Sequence, residues 1–364
     1  MISRRTLLKG GALAVAAPFI NRGQFRLFAE SETTYSAQAI DLVRRSTVID
    51  MLGLLTLNYS KLTSWESEPE AFQATDYQKI AASGITIFHP AVGFTGGDAY
   101  DHSLRDITNW NSFIAAHPGE FARIDCAGDL EQAKRLGKIG ILIGQQNSLH
   151  FRTADDVDRF YNLGQRVSQL TYDDNMLGGG STDPLDPGLS EYGAKIVDRM
   201  NMVGMAVDVS HCSDRTTLDA LHASQAPVLV THSNCRALVA SSPRCKTDEA
   251  IRLLAARGGV MGITMVRSFV RPGGMATIED VLDHIDHVTR LVGVEHAGIG
   301  SDVDLVGRDF RIRPRKRFDL DGIDYSRKIF DLTEGLIRRG YPGESIELIL
   351  GGNFQRVLAT IWDG

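Results

Sequence analysis

The sequence predicts an α/β fold of the (β/α)8 barrel type, a closed ring of eight parallel strands that alternate with helices. Short apolar runs alternate with segments of helical spacing from residue 47 to residue 300. In the clearest unit, the runs Met205–Val209 and Pro227–Val230 flank a helix, and a crossover of this kind makes the two strands parallel. A length of 364 residues also suits one such domain.

Each predicted strand is a short, mostly apolar run bounded by glycine, proline or polar residues. In chain order the strands are Thr47–Ile49, Ile85–Phe88, Ile139–Ile143, Val167–Leu170, Met205–Val209, Pro227–Val230, Val260–Met265 and Ala297–Gly300. Phe121–Cys126 is predicted as an extra strand outside this repeat. Residues 52–73 are predicted as a loop.

The predicted helices have apolar residues at helical spacing or end at a glycine. They are Asp76–Ser83, Asp101–Ala116, Leu130–Leu136, Ala154–Leu163, Leu189–Val203, a helix capped by Ser213 or Asp214, Lys246–Arg257 and Ile278–Val292. Two closing helices, Tyr325–Arg339 and Ser345–Trp362, are expected to pack on the outside of the barrel.

The composition excludes several classes of protein. A formal net charge of −6 argues against a nucleic-acid partner, whose binding surface is normally basic. Beyond the amino terminus, no apolar stretch approaches the roughly 18 residues of a membrane-spanning helix. The four cysteines have no CxxC spacing, so they do not indicate a zinc finger.

The amino terminus has the order of a twin-arginine export signal. Arg4 and Arg5 are followed by two leucines, Lys9 and the weakly apolar run Gly10–Ala17. We therefore expect a signal and leader in residues 1–30, and a single barrel domain in residues 31–364. The twin-arginine export machinery is the expected partner, and the periplasm or another exported location is the expected site of action.

Polar residues follow several predicted strands, and in a parallel barrel these strand ends meet at one rim. His211 follows the fifth strand, His232 the sixth and Asp302 the eighth. Neutral imidazoles are good zinc ligands, and a carboxylate opposite them can bind the metal or take a proton from its water. Asp50 and His89 also follow strands, but for each of them we expect a structural role.

Five segments carry a resemblance to a known family: GLSEYGAKIVDRMNMVGMAVDVSHCSD, APVLVTHSNCRALVASSPR, GGVMGITM, DHIDHVTRLVGVEHAGIGSDVD and GGNFQRVL. Their order and spacing resemble the renal (membrane) dipeptidase family of zinc peptidases, in the amidohydrolase superfamily. The resemblance implies that His211 and His232 bind metal and that Asp302 is the carboxylate at the catalytic water. It also implies that Arg244 holds a substrate carboxylate, and that the protein can form a homodimer.

The chain departs from the family pattern at the rim. Leu52 and Leu54 occupy the positions of the family's His-x-Asp pair after the first strand. Gln146 stands where the family has the glutamate that bridges two zinc ions, and Tyr172 replaces a histidine near the substrate. A two-metal site is therefore not expected. The prediction is one zinc ion, held by His211, His232 and Asp302, with Gln146 as a further candidate ligand.

We therefore predict an exported dipeptidase-like metallohydrolase that cleaves an amide bond in a small, carboxylate-bearing substrate with metal-activated water. Asp302 would accept the proton, and Tyr172 would stabilise the oxyanion. One alternative is a metallohydrolase of a different amide, a lactone or an ester. Another is a non-catalytic periplasmic protein that binds a small molecule in the same pocket.

Overall fold

The computed structural model describes residues 23–27, 33–56, 58–173, 175–305, 319–323 and 325–363. The predicted twin-arginine motif lies outside these residues. Within them, no helix is both long and apolar enough to cross a membrane. Gln24–Phe25, inside the predicted leader, pairs antiparallel with Tyr35–Ser36. The division of the chain at residue 30 stays a prediction.

The centre of the molecule is a ring of parallel strands at the predicted positions. The strands are β1 (Ile49–Asp50), β2 (Ile87–Phe88), β3 (Ile139–Ile141 continuing as Gly144–Gln145), β4 (Val167–Gln169), β5 (Ala206–Asp208), β6 (Leu229–Ser233), β7 (Val260–Ile263) and β8 (Ala297–Ile299). Each pairs in parallel with the next. The ring closes where Ile299 of β8 pairs with Asp50 of β1, which confirms the predicted (β/α)8 barrel.

The helices surround this ring. They are α1 (Ala37–Arg45), α2 (Tyr59–Ser67), α3 (Ala74–Ala82), α4 (Ala99–Ala116), α5 (Ala127–Leu136), α6 (Ala154–Asn162), α7 (Glu191–Val203), α8 (Asp214–Ala223), α9 (Asp248–Ala256), α10 (Arg267–Val270), α11 (Ile278–Val292), α12 (Lys328–Arg338), α13 (Gly343–Glu347) and α14 (Asn353–Asp363). The predicted extra strand is present as Phe121–Arg123, paired in parallel with β3.

The loop prediction for residues 52–73 is wrong, because this segment contains α2 and a 3-10 turn, Pro69–Ala71. The helix begins where Asn58 Oδ1 accepts the Lys61 N–H at 3.1 Å. Trp65 is 1% exposed and packs edge-on against Phe72, with ring centroids 5.0 Å apart. These aromatic contacts stabilise a helix that has little amphipathic pattern of its own.

The last predicted helix is divided in two by a π-helical turn, Leu348–Gly352. The cause is a close approach of the chain to the barrel at Gly351. A Cβ atom on Gly351 would lie 2.0 Å from the Thr47 carbonyl oxygen. The α-helix is therefore interrupted at Gly351, which has no side chain.

Helix α14 closes the amino-terminal end of the barrel. Its apolar residues Phe354, Val357, Leu358 and Ile361 form one buried cluster with Ile49, Ile87, Val167, Ala206, Leu229 and Val260. Each of these last six is the first residue of its strand. With this end closed by apolar packing, the carboxyl-terminal rim is left for the polar residues.

Candidate active site

The site is organised around two histidines at the ends of β5 and β6. His232 lies within β6 and is fully buried, whereas His211 follows β5 and is partly exposed. Their Nε2 atoms are 3.0 Å apart. The strand–helix–strand unit therefore brings the two predicted ligands together, as the sequence indicated.

A chain of hydrogen bonds fixes which nitrogen of His232 carries the proton. The Thr231 hydroxyl donates to Asp208 Oδ2 at 2.7 Å, and Thr231 Oγ1 lies 2.8 Å from His232 Nδ1. Since the single hydroxyl hydrogen is directed to the carboxylate, Nδ1–H of His232 must be the donor to Oγ1. The lone pair of His232 is therefore on Nε2, which faces His211.

His211 is oriented in a similar way by Tyr172. The Tyr172 ring stacks on the imidazole at 4.3 Å, and the backbone of Tyr172 forms a hydrogen bond with His211. Because Nε2 of His211 faces His232, we assign that bond to Nδ1; with Nδ1–H as its donor, the Nε2 lone pair of His211 also points into the gap. Burial, followed by the positive charge of Arg244, holds the pKa of both imidazoles well below the usual range.

Arg244 lies directly beneath the pair. Its Nη1 donates to the Ser210 carbonyl at 2.6 Å, and its Nη2 donates to the His232 carbonyl at 2.7 Å. Its Nε is buried and has no hydrogen-bond partner within the described part of the chain. Arg244 thus ties the ends of β5 and β6 together, while its expected role as a substrate-carboxylate anchor stays a prediction.

A second buried cation supports the same segment. The Lys246 ammonium donates to the Cys212 carbonyl at 2.8 Å and to Thr217 Oγ1 at 3.0 Å. Burial lowers the pKa of Lys246 to about 8. The carbonyls on both sides of His211 are therefore held by cations from one loop.

All four cysteines of the chain are free.

Asp302 is partly buried at the same rim, after β8. Its backbone N–H donates to the Leu52 carbonyl at 2.8 Å, and its negative charge raises the pKa of Arg244, against the larger effect of burial. Among the described residues, no group of three or more His, Cys, Asp or Glu side chains could hold a metal ion. The assignment of Asp302 as a third ligand therefore stays a prediction.

The positions of the family's first metal site do not fit a second cation. Leu52 is fully buried and Leu54 is partly buried, and neither offers a ligand atom. Gln146 Nε2 donates to the Ala91 carbonyl at 2.8 Å, so the amide group is tied to the loop after β2. The single ion expected between His211 and His232 stays a prediction, because the described residues bring together only these two imidazoles.

Sequence reasoning missed the groups behind the histidines. Asp208, which is 1% exposed, is one of them, and the available signal was a carboxylate within the fifth strand.

His89, for which a structural role was expected, donates from Nδ1 to the Met51 carbonyl at 2.6 Å. Its Nε2 is buried against Gly144, where a Cβ atom would lie only 2.0 Å away.

Known proteins match this chain over most of its length. The model of the family described as membrane dipeptidase (Peptidase family M19) matches residues 36–363. Dipeptidase verJ of Clonostachys rogersoniana is 38% identical over 272 residues, which are 72% of this chain and 67% of that protein. Dipeptidase 3 of Rattus norvegicus is 30% identical over 272 residues, or 72% of this chain and 53% of that protein. The chain thus spans only about half to two thirds of the length of these relatives.

The likeness to a solved structure covers a larger share of this chain than the likeness to these relatives. The crystal structure of an amidohydrolase from Pseudomonas aeruginosa has a TM-score of 0.78 and 28% identity, and the match covers 90% of this chain and 99% of that one. The likeness supports the barrel fold.

Proposed function

The chain belongs to the membrane dipeptidase family, Peptidase family M19, and is a hydrolytic enzyme; from this premise we propose that it cleaves an amide bond in a small, carboxylate-bearing substrate with one zinc ion. The ion would be held between His211 and His232. Family membership argues against the alternative of a non-catalytic binding protein.

The observation that carries this proposal is the pair of facing Nε2 atoms of His211 and His232, 3.0 Å apart. Two nitrogens bound to one zinc at about 2.0–2.1 Å lie roughly 2.8–3.4 Å apart when the angle at the metal is about 90–110°. Facing lone pairs repel unless a proton or a metal ion lies between them. Burial disfavours an imidazolium, so the two neutral rings are bridged by a single Nε2–H or by a metal ion, and membership of this metallopeptidase family supports the metal.

Zinc in such a site supplies Lewis-acid chemistry and lowers the pKa of water. The remaining steps belong to side chains of this protein. The Asp302 carboxylate accepts the proton of the attacking water, and the Tyr172 hydroxyl donates to the oxyanion that develops on the substrate carbonyl. The Nε–H and the second Nη2–H of Arg244 are the remaining donors for a substrate carboxylate.

A second candidate substrate class is a lactone, an ester or an amide without a free carboxylate. It is favoured by the engagement of both Arg244 terminal nitrogens with backbone carbonyls. A panel that pairs each dipeptide with its carboxyl-terminal amide decides between the classes. A preference for the free carboxylate supports the dipeptidase proposal, and its absence supports the second class.

The metal content of the purified protein tests the proposal directly. Wild type, the His211→Ala/His232→Ala variant and a His222→Ala control, which removes an exposed histidine on α8, are measured by elemental analysis. About one zinc per chain, present in the control and lost in the double variant, is the expected result. About two ions would contradict the single-ion site, and no ion would contradict the metal proposal.

We also propose that the protein is exported by the twin-arginine route, on the strength of Arg4, Arg5 and the apolar run that follows. Replacing both arginines by lysine should retain the protein in the cytoplasm of the producing cell, as measured by fractionation. Unchanged export would contradict this route.

A further inference from the structure

The backbone of Asp302 has an unusual conformation. Among the described residues, the non-glycine residues with positive φ are Asp186 at 41° and Asp302 at 56°. The left-handed region is unfavourable for residues with a Cβ atom, and such residues persist there only when the surrounding structure holds them. The groups that hold Asp302 are therefore of interest for its function.

The residue before Asp302 has every polar group engaged. The Ser301 N–H donates to Asp50 Oδ1 at 2.7 Å, and the Ser301 hydroxyl donates to Asp50 Oδ2 at 2.5 Å. The Ser301 carbonyl accepts hydrogen bonds from the Met265 N–H at 2.8 Å and from Thr264 Oγ1 at 3.2 Å. Ser301 is thus fixed between β7 and β1.

A buried lysine contacts both neighbours of Asp302. Lys328, the first residue of α12, donates to Ser301 Oγ at 2.6 Å and to the Val303 carbonyl at 3.4 Å. Its ammonium also lies 3.0 Å from Asp50 Oδ2, and both side chains of this ion pair are 0% exposed. The pair therefore acts on the backbone immediately before and after Asp302.

We propose that Lys328 and Asp50 are positioning residues, which hold residues 301–303 so that the Asp302 carboxylate faces the His211–His232 pair. The catalytic role of Asp302 is part of the proposed function, and the inference rests on it. A buried ion pair loses the hydration of two charges, and apolar residues of similar volume are often as stable. Stability alone therefore does not account for this pair, whereas control of the strained Asp302 backbone does.

The test uses two variants of the full chain. Asp50→Asn/Lys328→Met removes both charges together, so that neither is left unpaired. Ser301→Ala is the milder change, because it keeps the ion pair and removes only the hydroxyl between the pair and the backbone. In both, kcat should fall on the order of 10- to 100-fold while KM stays nearly constant, because misplaced catalytic groups slow the reaction without changing substrate contacts.

Thr333→Val is the matched control. It removes a buried hydroxyl from the same helix, where Thr333 Oγ1 donates only to the Ile329 carbonyl at 2.7 Å. It should lower thermal stability without changing kcat. A loss of kcat in this control equal to that in Ser301→Ala would overturn the inference, because general loosening of α12 would then be sufficient.

A double-mutant cycle with Asp302→Asn tests whether the pair acts through Asp302. The loss caused by Ser301→Ala should largely disappear when Asp302 is already replaced, whereas additive losses would overturn the inference. A crystal structure of Asp50→Asn/Lys328→Met, which removes both charges that contact the backbone around Asp302, gives an answer independent of activity. If residue 302 keeps its left-handed φ and its place at the rim, the positioning role is wrong, even where wild type proves inactive and the proposed function fails.

Discussion

At the residue scale, the buried hydroxyl of Thr231 decides which nitrogen of the His232 imidazole carries the proton. Thr231 accepts the Nδ1–H of His232 and donates to Asp208, and Asp208 and Thr231 are almost completely buried. Groups behind a metal ligand fix its tautomer and orientation. If His232 binds zinc as proposed, we expect the hydroxyl of Thr231 to influence metal affinity.

Thr231→Val should weaken zinc binding by about 10- to 100-fold, because His232 loses the acceptor that keeps its proton on Nδ1. Stability should fall by only about 1–3 kcal/mol, the cost of leaving buried polar groups without a partner. Competition with a chromophoric chelator measures the affinity, and urea unfolding of the metal-free protein measures the stability.

Thr86→Val is the control for this prediction. Thr86 is also buried, and its hydroxyl accepts the Val48 N–H at 3.3 Å near the start of β2, away from the histidine pair. It should change stability and leave zinc affinity intact. Equal zinc affinity in wild type and Thr231→Val would rule out the tautomer role.

At the scale of the element, glycines let the barrel strands accommodate the side chains beneath the site. On β3, a Cβ atom on Gly144 would lie 2.0 Å from His89 Nε2 and 2.9 Å from the Val167 carbonyl oxygen. His89 is held on its other side by Met51, so it has little freedom to move. Gly144 therefore has a steric role.

Gly144→Ala should destabilise the protein by about 1–3 kcal/mol, the usual cost of overpacking a core. The matched control is Gly128→Ala in the first turn of α5, where a Cβ atom would meet only Cys126 Sγ, at 3.8 Å. That variant should be stabilised by roughly 0.4–1 kcal/mol, because alanine restricts the unfolded chain. Urea unfolding measures both, and similar values for the two would contradict the steric role.

The elements also show how far the sequence could predict this protein. Apolar runs between stop signals predicted all the barrel strands, because a buried parallel strand leaves a local pattern. Helix α2 and the break at Gly351 depend on contacts with distant residues, namely Phe113 stacking on Trp65 and the approach of Gly351 to Thr47. Local spacing contains no record of such contacts.

The same distinction applies to the candidate site. His211 and His232 could be predicted because each ends a recognisable strand and the parallel topology brings them to one rim. Asp50 and Ser301 are 251 positions apart, and Lys328 reaches them from a helix on the outside of the barrel. Their meeting depends on closure of the ring between β8 and β1, which individual motifs do not reveal.

At the scale of the whole molecule, His284 connects the outer helices to the rim. From α11, its Nδ1 accepts the Cys235 N–H just beyond β6, and its Nε2–H donates to the Val270 carbonyl at the end of α10, each at 3.1 Å. The bond from Cys235 requires a neutral imidazole, because a proton on Nδ1 would remove the acceptor. Burial lowers the pKa of His284 to about 4.

This histidine should make the fold sensitive to acid. The unfolded chain takes up the proton near pH 6.5, and the native state does so only near pH 4, so stability is present above pH 6.5 and is lost as the pH falls through that window. At pH 5 the loss is on the order of 2 kcal/mol. In His284→Gln, the drop in the free energy of unfolding between pH 7 and pH 5 should be smaller by that amount. The exposed His222→Gln serves as the control in the same urea titrations. An equal pH dependence in wild type and His284→Gln would contradict this prediction. The loss of stability in acid would then come from other groups, and not from the bridge that His284 forms between α11 and the rim.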